Sequence, residues 1–483
     1  MIRPKKHLNT LKSFDKLFDE TYIKIIFRSL YFIITVLILS SIAFYNKFPL
    51  VYSDSGTYLD TSISLYPPID RVFGYSLFIR IVTWQATTWT IILFQNLIIS
   101  YIIFIFLKLF IKNRQLYLIH FISINVLLLC SSLCWISCQI MPDIFIPAIV
   151  LVLMVFLLQE KLNRKNYFIY SLLIVLFLIS HLANILLFFP VLMSIGIIFL
   201  IKRPHHDILI IIKRRFYVLL ITGIISVLFI MIYNFAYTKS FKLSTSSNVF
   251  LTAKFNDTGL LKQFLDDNCI SNNEYVLCKY KDSLPESSNG FLWGSRSPLH
   301  GYKEPDEIVE HWLYADSAYA PIVKGILLTP AYYPKLVNDA VKYTWYQLIS
   351  FKTTAGEVAL GKNSAPYYPY RDHYKNELKP FLHSLQNTGE LRSGTFQKIS
   401  HITVFLSLII ILTGLFFVKQ NFTIKSSTII IALSILLNAF ISANFSVVED
   451  RYQSRIIWLI PLLAIVYSVL IIKNIRETEK KMK

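Results

Sequence analysis

The 483-residue chain is 54% hydrophobic and 15% aromatic with only 16% charged residues, a balance that excludes an ordinary soluble domain and a disordered chain. Its net charge of +19 invites a nucleic-acid reading. The lysines and arginines instead segregate into short loops between apolar runs, so membrane orientation and contact with anionic lipid headgroups account for the charge, and no nucleic-acid partner is required.

Runs of about 17–25 apolar residues, long enough to cross roughly 30 Å of hydrocarbon as a helix, fall near 29–45, 88–110, 116–136, 142–159, 167–183, 184–201, 216–236, 400–418, 427–445 and 456–472. This predicts an all-α polytopic membrane protein with about ten spans. If the amino terminus lies inside, the clusters Lys161/Arg164/Lys165, Lys213/Arg214/Arg215 and Lys473/Arg476/Lys480 also fall inside, which sets both termini in the cytoplasm of a cell inner (plasma) membrane.

In chain order, residues 1–28 form a basic cytoplasmic lead expected to lie along the membrane surface as an amphipathic helix, followed by a first span that stays as a permanent anchor. Residues 29–236 hold seven spans and a first outer loop, 46–87. That loop opens on Tyr52-Ser53-Asp54-Ser55-Gly56-Thr57-Tyr58-Leu59-Asp60. It breaks at Pro67-Pro68 before Asp70-Arg71 and re-forms as a short interfacial helix over 72–84 that carries Arg80. Cys130, Cys134 and Cys138 share one face of the third span, as small packing residues or as thiol ligands.

Pro142-Asp143 opens the fourth span, where the aspartate serves either as a helix-terminus anion or as a site residue. His181 and Asn184 sit near the outer end of the fifth. A histidine at that depth is either hydrogen-bonded between helices or functional.

Residues 237–398 form a mostly helical extracytoplasmic domain with 18 basic and 16 acidic residues. Helices are expected over 306–312, over 316–351 with breaks at Pro330 and Pro334, and near 373–386. Cys269 and Cys278 are a possible disulfide in an oxidising compartment. The turn cluster from Trp293 to Tyr302 supplies Arg296 and His300 as candidate substrate contacts. Residues 399–473 carry the last three spans and 474–483 a basic cytoplasmic tail. The final span is entered through Glu449-Asp450-Arg451-Tyr452-Gln453-Ser454-Arg455. Arg451 and Arg455 lie four apart on one helix face. They are either snorkelling anchors paired with Glu449 and Asp450, or a clamp whose guanidinium forks match phosphate oxygens.

The threading therefore gathers Asp54, Asp60, Asp70, Arg71, Arg80, Asp143, His181, Glu449, Arg451 and Arg455 at one outer water boundary. Carboxylates beside arginines there suit the deprotonation of an alcohol or amine while a lipid phosphate departs. For Asp54 the competing reading is an Asx turn or helix cap in a Ser/Gly/Thr-rich stretch.

The order of these short motifs resembles the GT-C superfamily of integral membrane glycosyltransferases, among them the protein O-mannosyltransferases and the lipid A aminoarabinose transferases. The resemblance rests on Asp54 with Tyr58, on Pro67, Pro68, Gly74, Tyr75 and Phe78, on Pro142-Asp143, and on Arg451-Tyr452 with Pro461 downstream. It implies transfer of one sugar from a polyprenyl-phosphate-linked donor to a glycan, lipid or protein acceptor, with inversion. Asp54 would be the base, Arg451 and Arg455, together with Arg71, would hold the leaving phosphate, and His181 or Asp143 would line the cavity. Many members carry two adjacent acidic residues in this loop. Here serines flank Asp54, leaving Asp60, Asp70 or Asp143 as the second carboxylate and giving no reason to require a divalent metal. The rival readings are an undecaprenyl-linked glycan polymerase or ligase, which the large loop with Arg296 and Arg371 keeps open, and a lipid or oligosaccharide translocase, which calls for internal symmetry and mid-membrane polar groups.

Overall fold

The computed structural model describes residues 7–111, 115–202, 206–269, 275–301, 308–353, 358–419 and 421–482. Among them every regular element is a helix, and the only β-type pairing is an isolated parallel bridge between Leu50 and Gln139. The first part of the chain forms α1 (His7–Leu39), α2 (Ser41–Tyr45), α3 (Ser53–Ser64), α4 (Gly74–Thr83), α5 (Trp89–Leu107), α6 (Gln115–Cys130), α7 (Leu133–Ser137), α8 (Phe145–Leu158), α9 (Arg164–Ser180), α10 (Leu182–Lys202) and α11 (His206–Thr238). A second group follows: α12 (Ser247–Asp257), α13 (Leu260–Asn268), α14 (Ser288–Trp293), α15 (Ile308–Leu328), α16 (Tyr333–Ile349), α17 (Tyr367–Asp372), α18 (Lys375–Leu382) and α19 (Leu385–Thr388). The chain closes with α20 (Gly394–Phe417), α21 (Phe422–Phe445), α22 (Asp450–Ile457) and α23 (Leu459–Met482).

Among the described residues, seven stretches are long and apolar enough to cross a bilayer: Tyr22–Leu39, Trp89–Leu107, Leu182–Phe199, Ile210–Thr238, Gly394–Phe417, Phe422–Phe445 and Asp450–Lys480. The chain is a helical membrane protein. The other three expected runs are helical but shorter, with 16 residues in α6, 14 in α8 and 17 in α9. Every residue of α8 is buried, so its uninterrupted apolar run is that of a helix surrounded by protein.

Four local expectations change. The basic lead is continuous with the first span in α1 rather than a separate surface helix, and its residues 1–6 lie outside the described residues. The third span stops at Cys130, so Cys130, Cys134 and Cys138 do not share one helix. The break between the fifth and sixth spans falls at His181, whose backbone is extended. The two helices expected over 306–312 and 316–351 are joined across 313–315 in α15 and part at Thr329, while 302–307 lie outside the described residues. Cys269 and Cys278 are bonded.

What brings the first outer loop to the centre is a set of backbone clamps. Leu50 donates to the Cys138 carbonyl at 2.9 Å and accepts from the Ile140 amide at 2.9 Å. The Ser55 hydroxyl then donates to the Ile140 carbonyl at 2.9 Å, which fixes the first turn of α3 beside Pro142-Asp143. The side-chain amide of Gln386 holds both polar groups of Val51, accepting at 3.1 Å and donating at 2.7 Å. Helices α12 to α15 bury a second apolar core, which includes Val249, Phe264, Phe291 and Tyr319, and grip the loop from above. The hydroxyls of Thr245 and Ser246 both donate to the Ile69 carbonyl.

Close approach is enforced at Gly56, where a Cβ would lie 2.3 Å from the Ala365 carbonyl carbon, backbone that cannot swing aside. Gly56→Ala is therefore expected to destabilise the folded protein by about 1–3 kcal/mol. Gly361→Ala, where an added Cβ meets nothing within 4 Å, is the control. Thermal unfolding in detergent should show a clear fall for the first and almost none for the second.

Candidate active site

Helix α3 begins at Ser53, and its start is secured by a serine rather than by the aspartate: the Tyr52 amide donates to the Ser55 hydroxyl at 2.9 Å. The Asp54 carboxylate is thus free of capping duty. Its Oδ2 lies 3.3 Å from Arg71 Nη1 and 3.6 Å from Arg451 Nη1. Arg71 forks onto Asp70, with Nε 3.1 Å from Oδ1 and Nη2 on Oδ2. Its guanidinium carbon also stands 5.2 Å from the centre of the Tyr58 ring. Two carboxylates and two arginines thus form one chain of contacts, Asp70 to Arg71 to Asp54 to Arg451.

The two arginines of the last span have different employment. Arg455 is nearly saturated: Nη1 bonds Asp143 Oδ1 at 3.0 Å, Nε and Nη2 bond Asn438 Oδ1 at 3.3 and 3.1 Å, and Nη2 bonds the Ser442 hydroxyl at 3.1 Å. Both side chains of the Arg455–Asp143 pair are 1% exposed. Asp143 therefore serves the arginine rather than a helix terminus, and Arg455 locks α21, α22 and the turn before α8 together.

Arg451, one turn earlier, is buried but poorly satisfied. It stacks 3.9 Å from the Tyr52 ring centre and reaches the Tyr452 hydroxyl at 3.4 Å, while Nε and Nη1 have no hydrogen-bond partner.

These groups face a cavity of about 820 Å³. Its floor holds Tyr52, Asp54, Tyr58, Asp70, Arg71, Glu449, Arg451, Tyr452 and Arg455. His181 enters from the end of α9, and a roof of Phe250, Leu251, Asn289, Leu292 and Trp293 comes from α12 and α14. The Ala183 amide donates to His181 Nδ1 at 3.0 Å, so a neutral ring carries its proton on Nε2. Burial pushes the Asp54 carboxyl up, but Arg71 and Arg451 pull it down by more, and it is held below the ordinary carboxylate value.

Of the residues singled out from sequence, Asp54, Tyr58, Asp70, Arg71, His181, Arg451, Tyr452 and Arg455 line this cavity, and Asp143 stands directly behind it. Four do not join them. Asp60 lies on the exposed face of α3. Arg80 donates to the carbonyls of Ser62 and Ile63 at the end of that helix. Arg296 and His300 are exposed and away from the cavity lining. Tyr52 and the roof residues had no signal as site residues beyond their place next to quoted motifs.

No protein-family model, curated protein or solved structure matches the chain.

The unequal employment of the two arginines has a measurable consequence. Arg455→Ala leaves Asp143 buried and unpaired, at an expected cost of about 3–5 kcal/mol in stability. Arg451→Ala removes a guanidinium whose Nε and Nη1 make no hydrogen bond and whose ion pair with Asp54 is a looser 3.6 Å, and should cost less. Thermal unfolding of the two variants in the same detergent separates them, and equal losses would contradict this division.

Proposed function

We propose that the chain is an inverting membrane glycosyltransferase of GT-C type, with ten spans and both termini inside. It moves a single sugar from a polyprenyl-phosphate donor to an acceptor at the extracytoplasmic face. The observation that carries this reading is Arg451, a buried guanidinium whose Nε and Nη1 make no hydrogen bond, beside a carboxylate in a cavity of small-molecule size. Buried donors without partners are costly, and a phosphate oxygen satisfies both their charge and their geometry. The lipid part of the donor is supported by the cavity's apolar wall. Leu182 and Leu186 come from α10 there, and Ile441 and Phe445 from α21. Leu186 and Phe445 are exposed at its edge, facing the hydrocarbon of the bilayer under this reading.

In this mechanism the acceptor hydroxyl gives its proton to Asp54 as its oxygen forms a bond to the anomeric carbon. The bond from that carbon to the phosphate oxygen breaks on the opposite side, and the lipid phosphate leaves with the electron pair. Arg451 and Arg71 take up the charge that develops on it. The same two arginines hold Asp54 in the free protein, so donor binding draws them from the carboxylate and strengthens it as a base. Asp70 keeps Arg71 in place, Arg455 acts through its hold on the helix ends, and His181 offers Nε2–H to the donor sugar. Positive charge from the arginines meets the needs of the leaving group, and the mechanism calls on no cofactor beyond the donor.

Asp54→Asn should lower turnover of a polyprenyl-phospho-sugar by about 10²–10⁴-fold while the folded protein still purifies. Mass spectrometry of envelope glycans from cells carrying only the variant should then show one sugar residue missing; parental turnover would sink the assignment.

A pH profile tests the same group. Because the arginines favour its charged form, Asp54 stays ionised below the usual carboxylate range, and the acid limb of kcat/KM lies there. Arg71→Ala withdraws one of those charges, which raises the carboxyl and moves the limb to higher pH. A limb that does not move assigns the titration to another residue.

A further inference from the structure

The cavity has two chemically distinct halves, and the charged floor leaves the roof unexplained. From α14, Trp293 lines the cavity while 55% exposed. One side of its indole rests on Trp312, with ring centres 5.2 Å apart at 34°, and Trp312 is in turn backed by Phe250 at 5.9 Å. The aromatic surface is thus held rigidly from behind and presented in front. The Trp293 indole N–H and the Asn289 side-chain amide have no hydrogen-bond partner among the described residues. Among the described residues, the lining cation near the roof is Lys242, paired with Asp316 at 3.2 Å. The roof therefore offers a flat apolar face, neutral donors and acceptors, and no net charge.

That combination fits a neutral sugar ring. The C–H face of a pyranose covers an aromatic face, and its ring hydroxyls exchange hydrogen bonds with amide and indole groups. A peptide fits less well. An extended chain gains affinity by pairing its backbone with a strand edge, whereas the described residues of the roof belong to the helices α12 and α14 and offer no strand edge. A lipid tail belongs to the opposite wall, where α10 and α21 meet.

We propose that Trp293 and Asn289 form an acceptor-side saccharide subsite, so that the acceptor is a glycan and not a protein. This rests on the transferase reading above: the donor phosphate occupies the arginines of the floor, and the acceptor hydroxyl comes down to Asp54 from a ring stacked on Trp293.

The test uses the full chain in lipid nanodiscs, titrated calorimetrically with maltotetraose, mannotetraose and chitotetraose, with a Ser/Thr-rich peptide and, separately, with undecaprenyl phosphate. At least one tetrasaccharide should bind the parental protein. Trp293→Ala should weaken it by about tenfold, Trp293→Phe should restore most of the loss, and undecaprenyl phosphate should bind both variants as it binds the parent. The subsite is overturned if no tetrasaccharide binds, if Trp293→Ala binds as well as the parent, or if the peptide saturates the site in a Trp293-dependent way. The donor reading fails separately: Arg451→Ala that leaves undecaprenyl phosphate affinity unchanged refutes the phosphate site, whatever the saccharides do.

Discussion

The buried pair between Asp143 and Arg455 is the constraint around which the site is built. It joins residues 312 positions apart in the chain, and Asn438 and Ser442 of α21 complete the guanidinium's partners. Two charges at 1% exposure are tolerable only because nearly every donor is answered. The geometry that results is strict. Once Arg455 is fixed, the turn before it is fixed as well, and Arg451 has to stand against Tyr52 and Asp54. One arginine is immobilised, and its neighbour on the same helix face keeps two nitrogens without a hydrogen bond.

The same economy governs the carboxylates. Asp54 has two arginines near it but belongs wholly to neither, because Arg71 is already forked onto Asp70 and Arg451 only approaches at 3.6 Å. The neighbouring acidic residues differ in their contacts. Asp70 is tied to it through Arg71, while Asp143 is committed to Arg455 and Asp60 faces away. The serines that flank Asp54 matter structurally: Ser55 secures the helix start and the contact to Ile140, which spares the aspartate both tasks.

Much of this floor was legible in the sequence because membrane threading is a strong constraint. Apolar runs and loop charge put the Asp54 stretch and the Arg451–Arg455 stretch on one side, and the proline break at 67–68 separated α3 from α4. What failed followed from effects that linear reading does not carry. Asp60 is six residues past Asp54, roughly 240° around a helix, so it shares the loop without sharing the face. Arg80 was spent on carbonyls at the end of α3. The apolar run of α8 looks the same whether lipid or protein surrounds it. Arg296 and His300 share a turn cluster with Trp293, which lines the cavity where they do not, and nothing local distinguishes a tryptophan that lines a cavity from one that covers a core.

The roof is the part most dependent on tertiary structure, and its attachment explains how two halves with different chemistry can act on one point. Ile69, next to Asp70 in the first loop, packs against the core of the outer domain, and its carbonyl receives the hydroxyls of Thr245 and Ser246 just before α12. At the other end of that helix, Lys254 is buried 4.0 Å from the Tyr343 ring and 3.7 Å from Asp257, against α16, which itself packs along α21. The roof is thus held at one end by the loop that carries Asp70 and Arg71, and at the other by a helix leaning on the span that holds Arg455. Floor and roof are registered through shared supports. A shift of α12 large enough to misplace the Trp293 face would also disturb the loop that positions Arg71 against Asp54.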